Sequence, residues 1–236
     1  MQRLIISPSQ LQDGVINLNV EQNHYLKNVL RLGKSERFVV MDGLGHSWLA
    51  ELSGEGLARI LEPVMVATEL PGKVTLMVAL PKGNGFDEIV RSCTELGVTT
   101  LMPVMSDRTL LKPSPHKLQR WCKIAQEAAE QSERQLVPHL FSPIPYSAAL
   151  TQIEPETSAY ICVTRKESPH LLHYLEAKPN NIIIATGPEG GWTETEVEAA
   201  ITAGFQRVSL GNRILRAVTA PIFALSLVAA TRENCS

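Results

Sequence analysis

The run Asn181-Ile-Ile-Ile-Ala-Thr-Gly-Pro-Glu-Gly-Gly-Trp-Thr-Glu-Thr-Glu196 joins an apolar strand, a turn and the start of a helix. Ile182 to Ala185 form a continuous apolar run rich in β-branched residues, the pattern of a strand buried on both faces. Gly187, Pro188, Gly190 and Gly191 then break the strand. Thr193, with Glu196 three residues later, is a capping box that opens a helix, and Gly204 closes it. A buried strand that runs through a glycine-rich turn into a capped helix is the building unit of a parallel sheet with helices on both faces. Ligands of such sheets sit beyond the strand ends, at turns of this kind. Taken alone, the turn reads equally well as a tight connection with no ligand. It matches neither the Walker phosphate loop nor GxGxxG, which need other spacings.

The same alternation extends outward in both directions. Strand patterns cover residues 74–80, 98–105, 159–164 and 207–210. Helix patterns cover residues 86–96, 117–134 and 221–230, and Ser168-Pro169 reads as an N-cap with proline at the first helical position. On the helix over 117–134, Leu118, Trp121, Cys122, Ala125 and Ala129 share one face, while Arg120, Lys123, Glu127 and Arg134 point the other way. The character of the chain changes near Glu69-Leu-Pro-Gly-Lys73. Before it lie short β-like runs at 3–7, 15–18, 37–41, 48–52 and 57–67, with turn signals at Asp42-Gly43 and Ser53-Gly54 and one amphipathic helix over 21–32. Several short strands in so few residues favour a small barrel. The expected organisation is a small β domain over residues 1–70 and an α/β domain over 71–236.

At 236 residues and 44% hydrophobic, the chain suffices for a real core. No stretch approaches the roughly 20 apolar residues that cross a bilayer, so a soluble cytoplasmic protein with no membrane partner is expected. Cys93, Cys122, Cys162 and Cys235 lie far apart with no CxxC pair, which signals neither zinc nor a disulfide framework and predicts buried thiols. The net charge of −2 gives no global argument for nucleic acid, so any such contact is local. Two basic clusters offer one. The first holds Arg108, Lys112, His116, Lys117, Arg120 and Lys123, and the second Lys27, Arg31, Lys34 and Arg37. A solvated surface explains either cluster as well as phosphate contact does.

A second loop, Leu210-Gly-Asn-Arg-Ile-Leu-Arg216, also follows a short strand and precedes an apolar helix. Its Arg213 and Arg216 flank an apolar pair. That suits a pocket needing both hydrophobic walls and planar cations, although structural ion pairs would use the same arginines.

These segments together resemble a known family, the ribosomal RNA small subunit methyltransferase E family of knotted SPOUT enzymes. The resemblance spans nearly the whole chain. It is carried by His24 to Leu32, Ala79 to Gly85 with Glu95-Leu-Gly97, Arg120-Trp121 with Glu127 to Gln131, Gly187 to Gly191, and Leu210 to Pro221. It implies an N-terminal PUA-like β-barrel that grips RNA and a trefoil-knotted α/β methyltransferase domain that forms a homodimer. The implied reaction is transfer of a methyl group from S-adenosyl-L-methionine, without metal, to N3 of a uridine in 16S rRNA within the small ribosomal subunit.

Carried over by residue, the donor pocket comprises Thr186, Gly187, Pro188, Glu189, Gly190 and Gly191 with Leu210, Gly211, Ile214 and Leu215. Arg213 or Arg216 would stabilise negative charge on the uracil ring. Arg3, Lys27, Arg31, Arg108, Lys112 and Arg120 are the cations assigned to RNA. No general base is identified: Glu189 reads first as a backbone acceptor, and His24 and His116 read equally as surface residues. Ala217 and Val218 depart from the family, which usually has Thr and Glu there. Two other readings remain open, a non-catalytic RNA-binding assembly factor on the same fold and a knotted methyltransferase acting on another RNA.

Overall fold

The computed structural model describes residues 1–54, 56–65, 67–111, 113–164 and 167–233, so Lys112 and Cys235 lie outside the described residues. The chain divides into two compact units, Met1–Glu69 with Ala129–Val137, and Leu70–Ala128 with Pro138–Ser236.

The first unit holds β1 (Arg3–Ile5), β2 (Leu11–Gln12), β3 (Val15–Asn17), α1 (Val20–His24), β4 (Arg37–Met41), β5 (Ser47–Gly54) and β6 (Leu57–Pro63). Its sheet runs β1-β4-β5-β6-β3-β2, with only the β1–β4 pair parallel. Alternation places Leu4, Phe38 and Val40 in one core with Ile16, Ala50, Leu52 and Ala58, and turns Ile5, Val39 and Met41 toward Ala129 and Val137. The helix expected over 21–32 is shorter. Asn19 caps α1 by accepting from the Gln22 backbone N–H, and after His24 the chain opens into one wide turn in which the Leu30 N–H donates to the Tyr25 carbonyl at 2.9 Å. Leu26, Leu30 and Leu32 all pack on the same core, and an ideal 3.6-residue helix cannot hold those three positions on one side.

Arg134 corrects another expectation. It is 2% exposed rather than solvated, and its Nε and Nη2 donate to Glu69 Oε2 at 3.0 and 2.6 Å.

The second unit contains β7 (Lys73–Ala79), α2 (Gly85–Glu95), β8 (Thr100–Met105), α3 (Pro115–Gln131, whose last three residues belong to the first unit), β9 (His139–Leu140), β10 (Ile144–Pro145), α4 (Tyr146–Leu150), β11 (Ser158–Cys162), α5 (Leu171–Leu175), β12 (Asn181–Thr186), α6 (Glu194–Thr202), β13 (Gln206–Val208) and α7 (Thr219–Glu233). Its strand order is β10-β8-β7-β12-β11-β13, with β9 also on β8, and every pairing is parallel. This is the α/β class that the alternation predicts. Met77, Ala79, Ile161, Ile183 and Ala185 of the central strands share a core with Val197, Ala200 and Phe205.

Two local expectations change here. Cys122 is exposed on α3, where Trp121, Ile124, Ala125 and Ala128 supply the buried side. Ser168 does not cap α5. That helix starts at Leu171 under a His170 cap, because Ser209 pairs with the extended chain before it: the Ser209 N–H donates to the Pro169 carbonyl and the Leu171 N–H to the Ser209 carbonyl. Among the described residues no helix is long and apolar enough to cross a membrane.

Candidate functional site

β11 lies between β12 and β13, so the segments that leave the carboxyl ends of these three parallel strands converge. They enclose a cavity of about 600 Å³, a volume suited to a small-molecule ligand. The first segment gives Cys162, Val163 and Thr164; the second runs from Thr186 to Glu194; the third contributes Leu210, Gly211, Arg213 and Leu215 to Val218.

Hydrogen bonds set the shape of the second segment. The Thr193 hydroxyl accepts from the Glu196 backbone N–H, and Glu196 Oε2 accepts from the Thr193 N–H at 2.8 Å, which is the capping box read from the sequence. Glu196 is 6% exposed, and its other oxygen accepts from the Asp107 N–H at 2.8 Å. One carboxylate thus ties the loop after β8 to the start of α6. Arg108 extends the tie: its Nη1 donates to the Gly190 carbonyl at 2.6 Å, and its stem lies so close that a Cβ on Gly190 would stand 3.0 Å from Arg108 Cδ. Glu189 Oε1 accepts from the Lys82 backbone N–H at 3.0 Å.

The cations at the cavity, Arg108, Arg213 and Arg216, belong to exposed residues, while the interior is largely neutral. Burial pushes the Cys162 thiol up to about 12, so it is not a thiolate at neutral pH. Two buried polar atoms of the lining, Thr186 Oγ1 and Trp192 Nε1, have no hydrogen-bond partner among the described residues. Buried donors are costly when unpaired, so the cavity suits a ligand with polar atoms of its own. Val218 packs on the start of α2, where a Cβ on Gly85 would lie 2.8 Å from Val218 Cγ2. Where the resemblance leads to the expectation of a glutamate, this chain makes an apolar contact.

Of the residues expected to hold a ligand, Thr186 to Gly191, Leu210, Gly211 and Leu215 line the cavity, as do Arg213 and Arg216. Ile214 is not among the lining residues and is 64% exposed. Of the cations assigned to RNA, Arg108 is at the cavity and Arg120 donates through Nε to Asp87 at 2.8 Å. Arg3 is ion-paired with Glu133 at 2.6 Å, and its side chain is 12% exposed. Lys27 is half-buried and Arg31 exposed on the wide turn of the first unit and just after it. Among the described residues no cluster of His, Cys, Asp or Glu could hold a metal ion.

Residues 68–229 match an RNA methyltransferase domain family, and residues 18–60 match an RNA methyltransferase PUA domain. The chain is 51% identical to a ribosomal RNA small subunit methyltransferase E from Synechocystis, over 98% of its own length and 78% of the relative's. The chain belongs to the ribosomal RNA small subunit methyltransferase E family. A family member from Bacillus subtilis is 30% identical over 99% of this chain and 98% of its own. The fold also matches a solved structure of the Neisseria gonorrhoeae member bound to S-adenosyl methionine, with a TM-score of 0.87, 33% identity, and coverage of 96% of this chain and 95% of the other.

Several lining residues escaped the sequence reading. Trp192 directly follows the quoted glycine loop, and its position was the available signal. Cys162 to Thr164 gave none, because only the strand order brings the end of β11 beside that loop.

Proposed function

We propose that this protein transfers a methyl group from S-adenosyl-L-methionine to N3 of a uridine in 16S rRNA. The observation that carries this reading is the cavity at the ends of β11, β12 and β13, which both family loops line and which holds unpaired buried donors. Family membership and the S-adenosyl methionine bound to the gonococcal relative support the same donor. When bound, that donor supplies a methyl group on a sulfonium, already activated for transfer without a metal.

The residues of this chain would do the rest. Backbone and side chains of Thr186 to Gly191, with Leu210, Gly211 and Leu215, hold and orient the donor, and the exposed Ile214 takes no part in this. The uracil N3 proton passes to solvent water ahead of transfer, and the N3 electron pair left behind then forms the N3–CH₃ bond as the S–CH₃ bond breaks with its electron pair left on sulfur. The negative charge that develops on the ring and its carbonyl oxygens falls to Arg213 or Arg216. Glu189 is engaged as a backbone acceptor, so we assign it no proton transfer. Arg108 at the cavity and Lys27 and Arg31 on the first unit are the proposed phosphate contacts, with Arg120 contributing its exposed face and Arg3 serving mainly its ion pair.

The same reading carries a PUA-like barrel for the first unit, a trefoil knot in the second, a homodimer, a small-subunit substrate and a cytoplasmic location. The half-buried Ile222, Phe223 and Leu227 of α7 are the apolar stripe a second copy would cover.

Nucleoside mass spectrometry of 16S rRNA from cells lacking the protein, with and without its return, tests the assignment. Loss and recovery of 3-methyluridine is expected. An unchanged level would overturn the uridine-N3 assignment, and purified protein with no affinity for S-adenosyl-L-methionine would favour a non-catalytic RNA-binding role instead.

A further inference from the structure

Among the described residues that line the cavity, Trp192 joins a large apolar body to a buried, unpaired donor. Its ring packs on the core that includes Val197, Ala200 and Phe205 and lies 4.7 Å from the ring of Tyr146. Its Nε1 is buried without a partner among the described residues. An indole N–H only donates, so what completes it must be an acceptor. The indole nitrogen lies beside the glycine loop that lines the cavity. A Cβ on Gly187 would stand 3.3 Å from both Trp192 Nε1 and the Trp192 backbone nitrogen. Glycine at this position therefore lets Trp192 pack closely against the loop, where any side chain would crowd the indole nitrogen. Beside it Thr186 is fully buried, and its Oγ1 is likewise unpartnered.

The character of the acceptor follows from its surroundings. A carboxylate held here would be desolvated against an apolar core by neutral donors alone, which is unfavourable without a cation. The cavity's arginines belong to exposed residues, and Arg108 is already turned to the Gly190 carbonyl. An uncharged acceptor fits, and the methyl donor carries such atoms in the ring nitrogens and ribose oxygens of its adenosine.

Resting on the methyl-donor reading above, we propose that the Trp192 indole N–H, with the Thr186 hydroxyl, is a recognition site for an uncharged acceptor of the donor's adenosine. Both residues thereby set affinity for the nucleoside rather than for the amino-acid end.

Calorimetric titration of the full chain with S-adenosyl-L-methionine and with 5′-methylthioadenosine, which lacks the carboxylate, tests this. Trp192→Phe keeps an aromatic ring, a smaller one, and removes the donor; Thr186→Val is isosteric and carries the test alone if the first variant does not fold by circular dichroism. Each variant is expected to raise the Kd of both ligands by the same factor, about 3- to 10-fold. Unchanged Kd values in the folded variants would overturn the proposal. A loss confined to S-adenosyl-L-methionine would also overturn it, by placing the acceptor at the amino-acid end. Wild-type protein that bound neither ligand would instead bring down the methyl-donor reading itself, a failure distinguishable from the other two.

Discussion

Arg213 and Arg216 both line the cavity, although local sequence pattern fits structural ion pairs equally well. The two intervening positions divide: Leu215 lines the cavity and Ile214 faces outward. An arginine that stabilises charge developing only once the neutral uracil is bound affects the rate constant more than the binding of either substrate. Arg213→Ala is therefore expected to lower the single-turnover methylation rate by about 100-fold with donor and RNA saturating, with a smaller change in donor Kd. Quench-flow with labelled donor measures it, and an unchanged rate would take Arg213 out of the mechanism. Residue identity also settles smaller matters. Cys122, placed by periodicity on a buried face, is exposed because Trp121 and Ile124 already cover the core on either side of it.

Among the elements, the turn between β4 and β5 shows how one carboxylate organises a hairpin. Asp42 Oδ1 accepts from the backbone N–H groups of Leu44 and His46 at 2.8 and 3.0 Å, and Oδ2 lies 2.8 Å from His46 Nδ1. Burial raises the Asp42 carboxyl, but the two backbone donors and the His46 ring outweigh it and hold the carboxyl below its ordinary 3.8. A carboxylate with a folded value below its unfolded one stabilises the fold above the unfolded value, and loses that contribution as pH falls through the folded value. Asp42→Asn is accordingly expected to cost about 1 kcal/mol at pH 6 and progressively less as pH falls below about 4. Urea midpoints of wild type and variant across that range should converge; a constant gap would refute the charge-based account. The capping box at Thr193 and the strand at 181–186 were legible as elements because both are patterns of near neighbours. The wide turn after α1 and the His170 cap were not, since each is imposed by a partner distant in sequence, the shared core of Leu26 and Leu32 in one case and Ser209 in the other.

At the scale of the whole molecule, the proposed homodimer gives a direct mass prediction. Light scattering behind size exclusion is expected to return about twice the 25.9 kDa of the chain, and Phe223→Glu on the half-buried stripe of α7 should shift it toward one. A wild-type mass of a single chain would refute the dimer. The division into units shows the same limit of local patterns on a larger scale: Ala129–Val137 belongs to the first unit although the chain reaches it only after strands and helices of the second. Arg134 is buried there by Glu69, a partner no periodicity announces. The sequence by itself determined the alternation of buried strands and capped helices, the two loops and their family motifs, because these depend on residues within a few positions of each other. Only the tertiary structure decided that β11 stands between β12 and β13. Strand order is set by long-range pairing, so it alone could bring Cys162 to Thr164 beside the glycine loop and leave the Trp192 N–H buried without a partner above Gly187.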